Sequence, residues 1–189
     1  MKKQNNEQKQ IVMISDSHGN MANIDRILSI IQADPVDLLI HLGDDYQDAR
    51  PIIEAKIPVI QVPGTWTKEY MDFRIDNRRF EDILGWRFFL THTPEAHFND
   101  RADDPEPSVV WQEGDFDLFC HGHTHRPEII QDQSRVRLNP GHIKEEMDRG
   151  YPATYTQINL SKTACQIDIK YLKDQQLLTT LTLNKEPGL

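Results

Sequence analysis

Only two cysteines, Cys120 and Cys165, occur in the 189 residues. Two thiols cannot build a disulfide framework, and their separation is not that of a zinc ribbon. Long hydrophobic runs are missing too: none approaches the roughly 20 apolar residues that a membrane helix needs, and the first ten residues are too polar for a secretory signal. Basic charge is scarce. Against 30 acidic residues stand 21 Lys and Arg, and the net charge of −9 repels a nucleic-acid polymer or an anionic membrane. Internal repeats and low-complexity stretches are absent. These deficits leave a disordered tail over residues 1–9 and a single domain over 10–185, expected in the cytoplasm. A domain of this size buries roughly 70% of the surface its unfolded chain exposes. Small phosphorylated substrates stay compatible with the acidic balance, because a bound metal pair reverses the local field.

The hydrophobic pattern changes once along the chain. The first part reads β-α-β-α-β, with strands at 10–15, 37–41 and 57–62 and helices near 21–33 and 45–55. Those crossovers imply parallel pairing. Ile24, Ile27, Leu28 and Ile31 recur at three- and four-residue steps, Asn20 stands where an N-cap is wanted, and Asp34-Pro35 stops the helix. Beyond about residue 70 the signals become strand pairs, with Leu84-Gly85 as a turn before a strand at 86–91. Segments 135–139, 153–160, 164–172 and 176–183 alternate apolar and polar residues, as half-buried antiparallel strands do. Cys165 alternates with Ile167, Ile169 and Tyr171, and both cysteines read as small core residues. A short helix over 107–113 starts at Pro107. Two long loops, 63–77 and 93–114, flank the strand pair, and the acidic stretch 103–107 reads as solvated connection.

Metal-binding residue types follow four of the apolar runs. Asp16 and His18 come after 11–14, Asp44 after 38–40, His92 after 86–90, and His123 and His125 after 118–120. The carboxyl ends of strands in an α/β sheet share one rim, so these side chains are expected to converge. Each piece alone is uninformative; their joint order is not. Carboxylate and imidazole together suit Mn, Fe, Zn or Ni better than Ca, and Gly43 allows a close backbone approach beside Asp44.

Ser15-Asp16-Ser17-His18-Gly19-Asn20, His41-Leu42-Gly43-Asp44, Leu90-Thr91-His92, His121-Gly122-His123-Thr124-His125 and Leu138-Asn139-Pro140-Gly141 resemble the motif set of the calcineurin-like metallophosphoesterases, in particular their small bacterial and archaeal phosphodiesterase branch. The resemblance spans residues 11–141. It implies an α/β fold, a four-layer α/β/β/α sandwich of two mixed β-sheets. It also implies two divalent transition metals, Mn first with Fe, Zn or Ni as alternatives. Asp16, His18, Asp44 and His125 would hold one and Asp44, His92 and His123 the other, with Asp44 bridging. The implied activity is a metal-dependent phosphoesterase, hydrolysing a small phosphodiester rather than a monoester by a hydroxide shared between cations about 3.5–4 Å apart. Neutral imidazole ligands need a fixed tautomer, so backbone or carboxylate partners are expected behind them.

One segment departs from the pattern. Where the family carries Gly-Asn followed by His-Asp or Cys-Asp, this chain has Gly64-Thr65-Trp66-Thr67. A threonine hydroxyl is a poorer ligand than an amide carbonyl, so the second metal site is expected to be weak, to keep an extra water, or to recruit a side chain such as Glu69. A single-metal phosphatase and a non-enzymatic interaction scaffold are the rival readings. Among the other histidines, His41 reads as packed core and His121 as structural or supporting. His97 and His142 lie in loops near the expected rim, where either could protonate a leaving group; a surface imidazole without a role is the plainer reading. Trp66, Tyr70 and Phe73 form either an aromatic wall for a base or aryl group, or loop anchors.

Overall fold

The computed structural model describes residues 8–185. Residues 1–7 of the expected tail lie outside them, whereas Gln8 and Lys9 already belong to the first strand, which starts earlier than the sequence pattern marks. That strand, β1 (Gln8–Ile14), runs parallel to β2 (Leu38–His41), and β2 parallel to β3 (Val59–Gln61). The crossovers are α1 (Met21–Ala33) and α2 (Arg50–Glu54). Asn20 caps α1, its side chain accepting from Asn23 N–H at 3.1 Å. The second crossover is not the single helix expected over 45–55: a 3-10 turn at Tyr46–Ala49 precedes α2, and Pro51 in the first turn of α2 is tolerated because its missing N–H needs no partner there.

The next strands are β4 (Arg78–Ile83), β5 (Trp86–Thr91), β6 (Leu118–Cys120), β7 (Glu128–Asp132) and β8 (Arg135–Asn139), with α3 (Pro107–Glu113) between β5 and β6. They form a mixed sheet in the order β4-β5-β6-β8-β7. After a small ribbon of β9 (Met147–Asp148) and β10 (Tyr151–Pro152) come β11 (Thr154–Ser161), β12 (Ala164–Tyr171) and β13 (Leu177–Asn184). These last three are the expected antiparallel meander, and they extend the first sheet to β13-β12-β11-β1-β2-β3. Segment 135–139 is not part of that meander. As β8 it lies inside the other sheet, parallel to β6 and antiparallel to β7. Alternation alone cannot say which sheet a strand joins.

The two sheets face each other, with α1 and α2 outside one and α3 outside the other. Strand β1 explains why: Ile11 and Met13 point into the layer shared with Phe88, Leu90, Leu118 and Leu138, while Val12 and Ile14 point to Ile24 and Ile27 of α1. A strand covered on both faces reads as a continuous apolar run. On the far side Phe89 and Phe119 pack on Val110 of α3. Cys120 and Cys165 are free, buried thiols in the layer between the sheets. No helix among the described residues is long and apolar enough to cross a membrane.

Candidate metal centre

The loops that follow β1, β2, β3, β5 and β6 meet at one edge of the sandwich and are stitched together by backbone hydrogen bonds. Asp16 N–H donates to Gly43 O at 2.9 Å, Gly64 N–H to Asp44 O at 3.0 Å, and Gly122 N–H to His92 O at 3.0 Å. Two glycines permit this approach. Gly43 adopts φ +81°, where a Cβ would stand 2.8 Å from His92 Nδ1, and a Cβ on Gly122 would collide with Ser15 Oγ and lie 2.7 Å from Asp16 Oδ2. Four of the six expected ligands take left-handed backbone: Asp16 (φ 52°), His18 (47°), His123 (66°) and His125 (63°). Such a conformation costs a non-glycine residue on the order of 1–3 kcal/mol. Strain of this kind persists where surrounding packing over-determines the backbone, and it gathers at working sites.

Asp16, His18 and His125 bring one ligand atom each within 4.8 Å of one another. His18 Nε2 and His125 Nε2 are 3.1 Å apart, and His125 Nε2 is 3.2 Å from Asp16 Oδ1. The far ring nitrogens fix the tautomers. His18 Nδ1 lies 2.7 Å from Asp44 Oδ2, and His125 Nδ1 contacts Asp148 Oδ2. Each Nδ1 therefore carries its proton toward a carboxylate. Burial lowers the His125 pKa, but Asp16 and Asp148 outweigh it and raise it, so without an ion His125 Nε2 also carries a proton toward Asp16 while His18 Nε2 presents a lone pair. A cation that displaced that proton would meet a lone pair from each ring. Two nitrogens bound at about 2.0–2.1 Å to a tetrahedral ion stand roughly 3.3 Å apart, so both the donor set and its spacing fit a divalent transition ion. Burial pushes the Asp16 carboxyl up, but the His125 hydrogen bond and the charges of His92 and His125 outweigh it and hold the pKa at about 2. His123 N–H also donates to Asp16, at 2.9 Å to Oδ2.

His92 and His123 form a second pair. His92 Nδ1 donates to Leu42 O at 2.8 Å, which leaves Nε2 facing His123 Nδ1 at 3.3 Å. Burial, then the His92 charge, lower the His123 pKa and keep the imidazole neutral. Among the described residues no cluster of three ligating groups includes this pair. Thr65 is buried with its hydroxyl unpartnered, while its carbonyl accepts Asn99 Nδ2 at 2.9 Å. Glu69 is buried and accepts Gln47 Nε2 at 2.8 Å.

A further ring of side chains supports these loops. His41 is fully buried; its Nδ1 accepts Gly43 N–H at 3.3 Å and its Nε2 meets Ser17 Oγ at 3.3 Å, and Ser17 in turn donates to Asp48 at 2.6 Å. Both ring nitrogens are used, as a packed core histidine requires. His121 is likewise buried, its Nδ1 3.0 Å from Gly122 O and its Nε2 3.7 Å from Glu128. Asn139 braces the histidine turn, donating to Gly122 O at 3.2 Å and to Thr124 Oγ1 at 2.9 Å. His142 lies beside His125, ring centroids 5.6 Å apart, but is fully buried rather than in an open loop, with Nε2 bonded to Tyr151 O at 3.0 Å. His97 remains half-buried beside the site, its ring centroid 6.2 Å from that of His123. Tyr70 proves to be a buried anchor bonded to Asp100 at 2.5 Å, whereas Trp66 and Phe73 are exposed. The acidic stretch is not wholly solvated either, because Asp104 accepts Asn77 Nδ2 at 2.8 Å and Arg101 N–H at 2.9 Å. Asp148, Asp48 and the bracing role of Asn139 were not legible in the sequence. Asp148 sits on a two-residue strand whose pattern gives no signal.

A family model described as the calcineurin-like phosphoesterase superfamily domain matches residues 10–163. A probable metallophosphoesterase of Methanothermobacter thermautotrophicus is 32% identical over 107 residues, 56% of this chain and 60% of that protein's length. Among solved structures, a phosphoesterase from E. coli superposes with a TM-score of 0.65 at 22% identity, covering 93% of this chain and 100% of the other. Vacuolar Protein Sorting 29 from Cryptosporidium parvum superposes with a TM-score of 0.71 at 17% identity, covering 94% and 99%. At those identities the two likenesses show a shared fold.

Proposed function

This chain belongs to the calcineurin-like phosphoesterase superfamily, and from that premise we propose that it is a metal-dependent phosphoesterase cleaving small phosphodiesters. The observation that carries the reading is the facing pair of Nε2 atoms on His18 and His125 beside ionised Asp16. Asp16, His18 and His125 would hold the first divalent cation, Mn first and Fe, Zn or Ni as alternatives. Asp44 would reach both sites, and His92 and His123 would hold a weaker second cation. When bound, such ions supply charge against phosphoryl oxygens and make water a stronger nucleophile at neutral pH. The chain's own residues hold the ligands in register. Asp148 fixes the tautomer of His125, Leu42 O that of His92, and Asp44 orients His18. His97 Nδ1 accepts Asn99 N–H at 3.2 Å, which leaves its proton on Nε2 to hand to a departing alkoxide.

The diester preference is carried over from the resemblance of the motifs to the small bacterial and archaeal phosphodiesterase branch. We place the protein in the cytoplasm, where buried free thiols such as Cys120 and Cys165 persist reduced. The test is turnover by chelator-stripped protein reloaded with Mn(II), given bis(4-nitrophenyl) phosphate and 4-nitrophenyl phosphate. Diester hydrolysis should exceed monoester hydrolysis and vanish on chelation. Failure to turn over either compound at saturating metal would overturn the reading and favour a non-enzymatic scaffold. The unpartnered Thr65 hydroxyl and the fold likeness to a protein named for vacuolar sorting support that second reading.

A further inference from the structure

Three aromatic rings from two separate loops stand together beside the candidate ligands. Trp66 is 71% exposed and Phe98 76% exposed, yet they are not loose. The Trp66 and Phe98 centroids are 5.2 Å apart, Trp66 and His97 5.7 Å, and His97 and Phe98 4.4 Å. Asn99 ties the two loops through its bond to Thr65 O. Asp100 accepts His97 N–H at 2.8 Å and is itself gripped by Tyr70 and by buried Arg78 at 2.7 Å. Exposed apolar rings held this firmly are pre-set to bind, since little freedom is left to lose. The His97 ring, 6.2 Å from that of His123, makes the patch continuous with the metal-ligand rim.

We propose that Trp66, His97 and Phe98 form a stacking subsite for an aromatic ring carried by the substrate, a nucleobase or an aryl group, while its phosphoryl group sits at the ligands. The phosphoryl half rests on the phosphodiesterase reading above; the stacking half does not. Flat rings stack on such a surface whatever their edge chemistry, typically with a tenfold or so effect per ring on alanine substitution. Trp86 is buried and Trp111 lies in α3, so Trp66 is the fluorophore placed to report.

Two ligand pairs on metal-loaded protein separate the sources: adenosine monophosphate against ribose 5-phosphate, and phenylphosphonate against methylphosphonate. The aromatic member of at least one pair should quench fluorescence and bind about tenfold tighter than its partner, and Trp66→Phe should remove the quench while keeping that preference. In turnover, Trp66→Ala and Phe98→Ala should raise KM for bis(4-nitrophenyl) phosphate about tenfold, with kcat within about twofold. Glycerophosphoethanolamine, a diester without an aromatic ring, should be unaffected. Equal binding within both pairs, or equal KM changes for the two diesters, would overturn the subsite. So would sedimentation showing a dimer that Trp66→Ala and Phe98→Ala dissolve, since the patch would then be covered by a second copy. If the wild type hydrolyses neither diester, the phosphodiesterase reading fails and the binding pairs still decide the subsite.

Discussion

Asp148 is the side chain on which the tautomer of His125 depends, and no spacing in the sequence announces it. Its carboxylate faces His125 Nδ1 and also accepts from Lys144 Nζ at 3.3 Å. Removing a carboxylate behind a metal-binding imidazole usually lowers metal affinity by about 10–100-fold. Asp148→Asn should do this with the melting temperature of the stripped protein little changed, as a metal titration beside a thermal melt would show. Thr65 was legible as a departure, because Asn would offer a carbonyl at longer reach. Thr65→Asn should tighten the second binding event and raise turnover at limiting metal; an unchanged titration would mean the buried hydroxyl is not the deficit. His41 carries a pH signature. Burial holds it neutral and lowers its pKa to about 4, against Asp48, Asp16 and Asp44, which pull it up, and with His92, which pushes it down. The unfolded chain binds that proton from pH 6.5 downward, so wild-type stability falls as the pH drops from 6.5 to about 4. Relative to wild type, His41→Gln should gain up to about 3 kcal/mol across that window, read from urea melts of stripped protein. Parallel pH profiles would show that His41 titrates normally.

The loop over 93–106 behaves as an element of its own because a buried ion pair fixes it. Arg78, on β4, reaches Asp100 at 2.7 Å and also meets Thr91 Oγ1 and Thr93 Oγ1 at 3.3 Å. Burial raises the Asp100 pKa, but bonds from His97 N–H, Tyr70 and Arg78 overcome it and keep the carboxylate charged. Breaking one side of such a pair costs about 3–5 kcal/mol. Arg78→Met should lower the melting temperature and speed amide exchange over residues 97–104, with metal uptake at Asp16, His18 and His125 preserved. A variant with unaltered exchange there would show that the loop is held by its aromatic contacts instead. Elements with a local signal were readable: α1 from its apolar spacing and Asn20 cap, α3 from Pro107, the meander from its alternation. What escaped was non-local. Residues 135–139 look like any half-buried strand, and only their pairing with β6 makes them an inner strand of the second sheet. The crossover after β2 shortened because Pro51 lets a helix begin there.

For the whole molecule, the convergence of Asp16, His18 and His125 was legible because strand ends far apart in sequence share one rim, and residue type did the rest. Their supports were not, since Asp48, Asn139 and Asp148 matter only through tertiary contacts that no periodicity encodes. The four-layer arrangement was implied by the motif resemblance, and the split of β1 between two apolar layers gives its physical reason. The proposed chemistry depends on a divalent cation held by Asp16, His18 and His125. Calorimetric titration of chelator-stripped protein with Mn(II), and then with Fe, Zn and Ni, tests it most directly. One tight equivalent followed by a weaker one, with the tight event lost in His125→Ala, is the expected result. No saturable uptake of any of the four ions, or a tight event that survives His125→Ala unchanged, would contradict it.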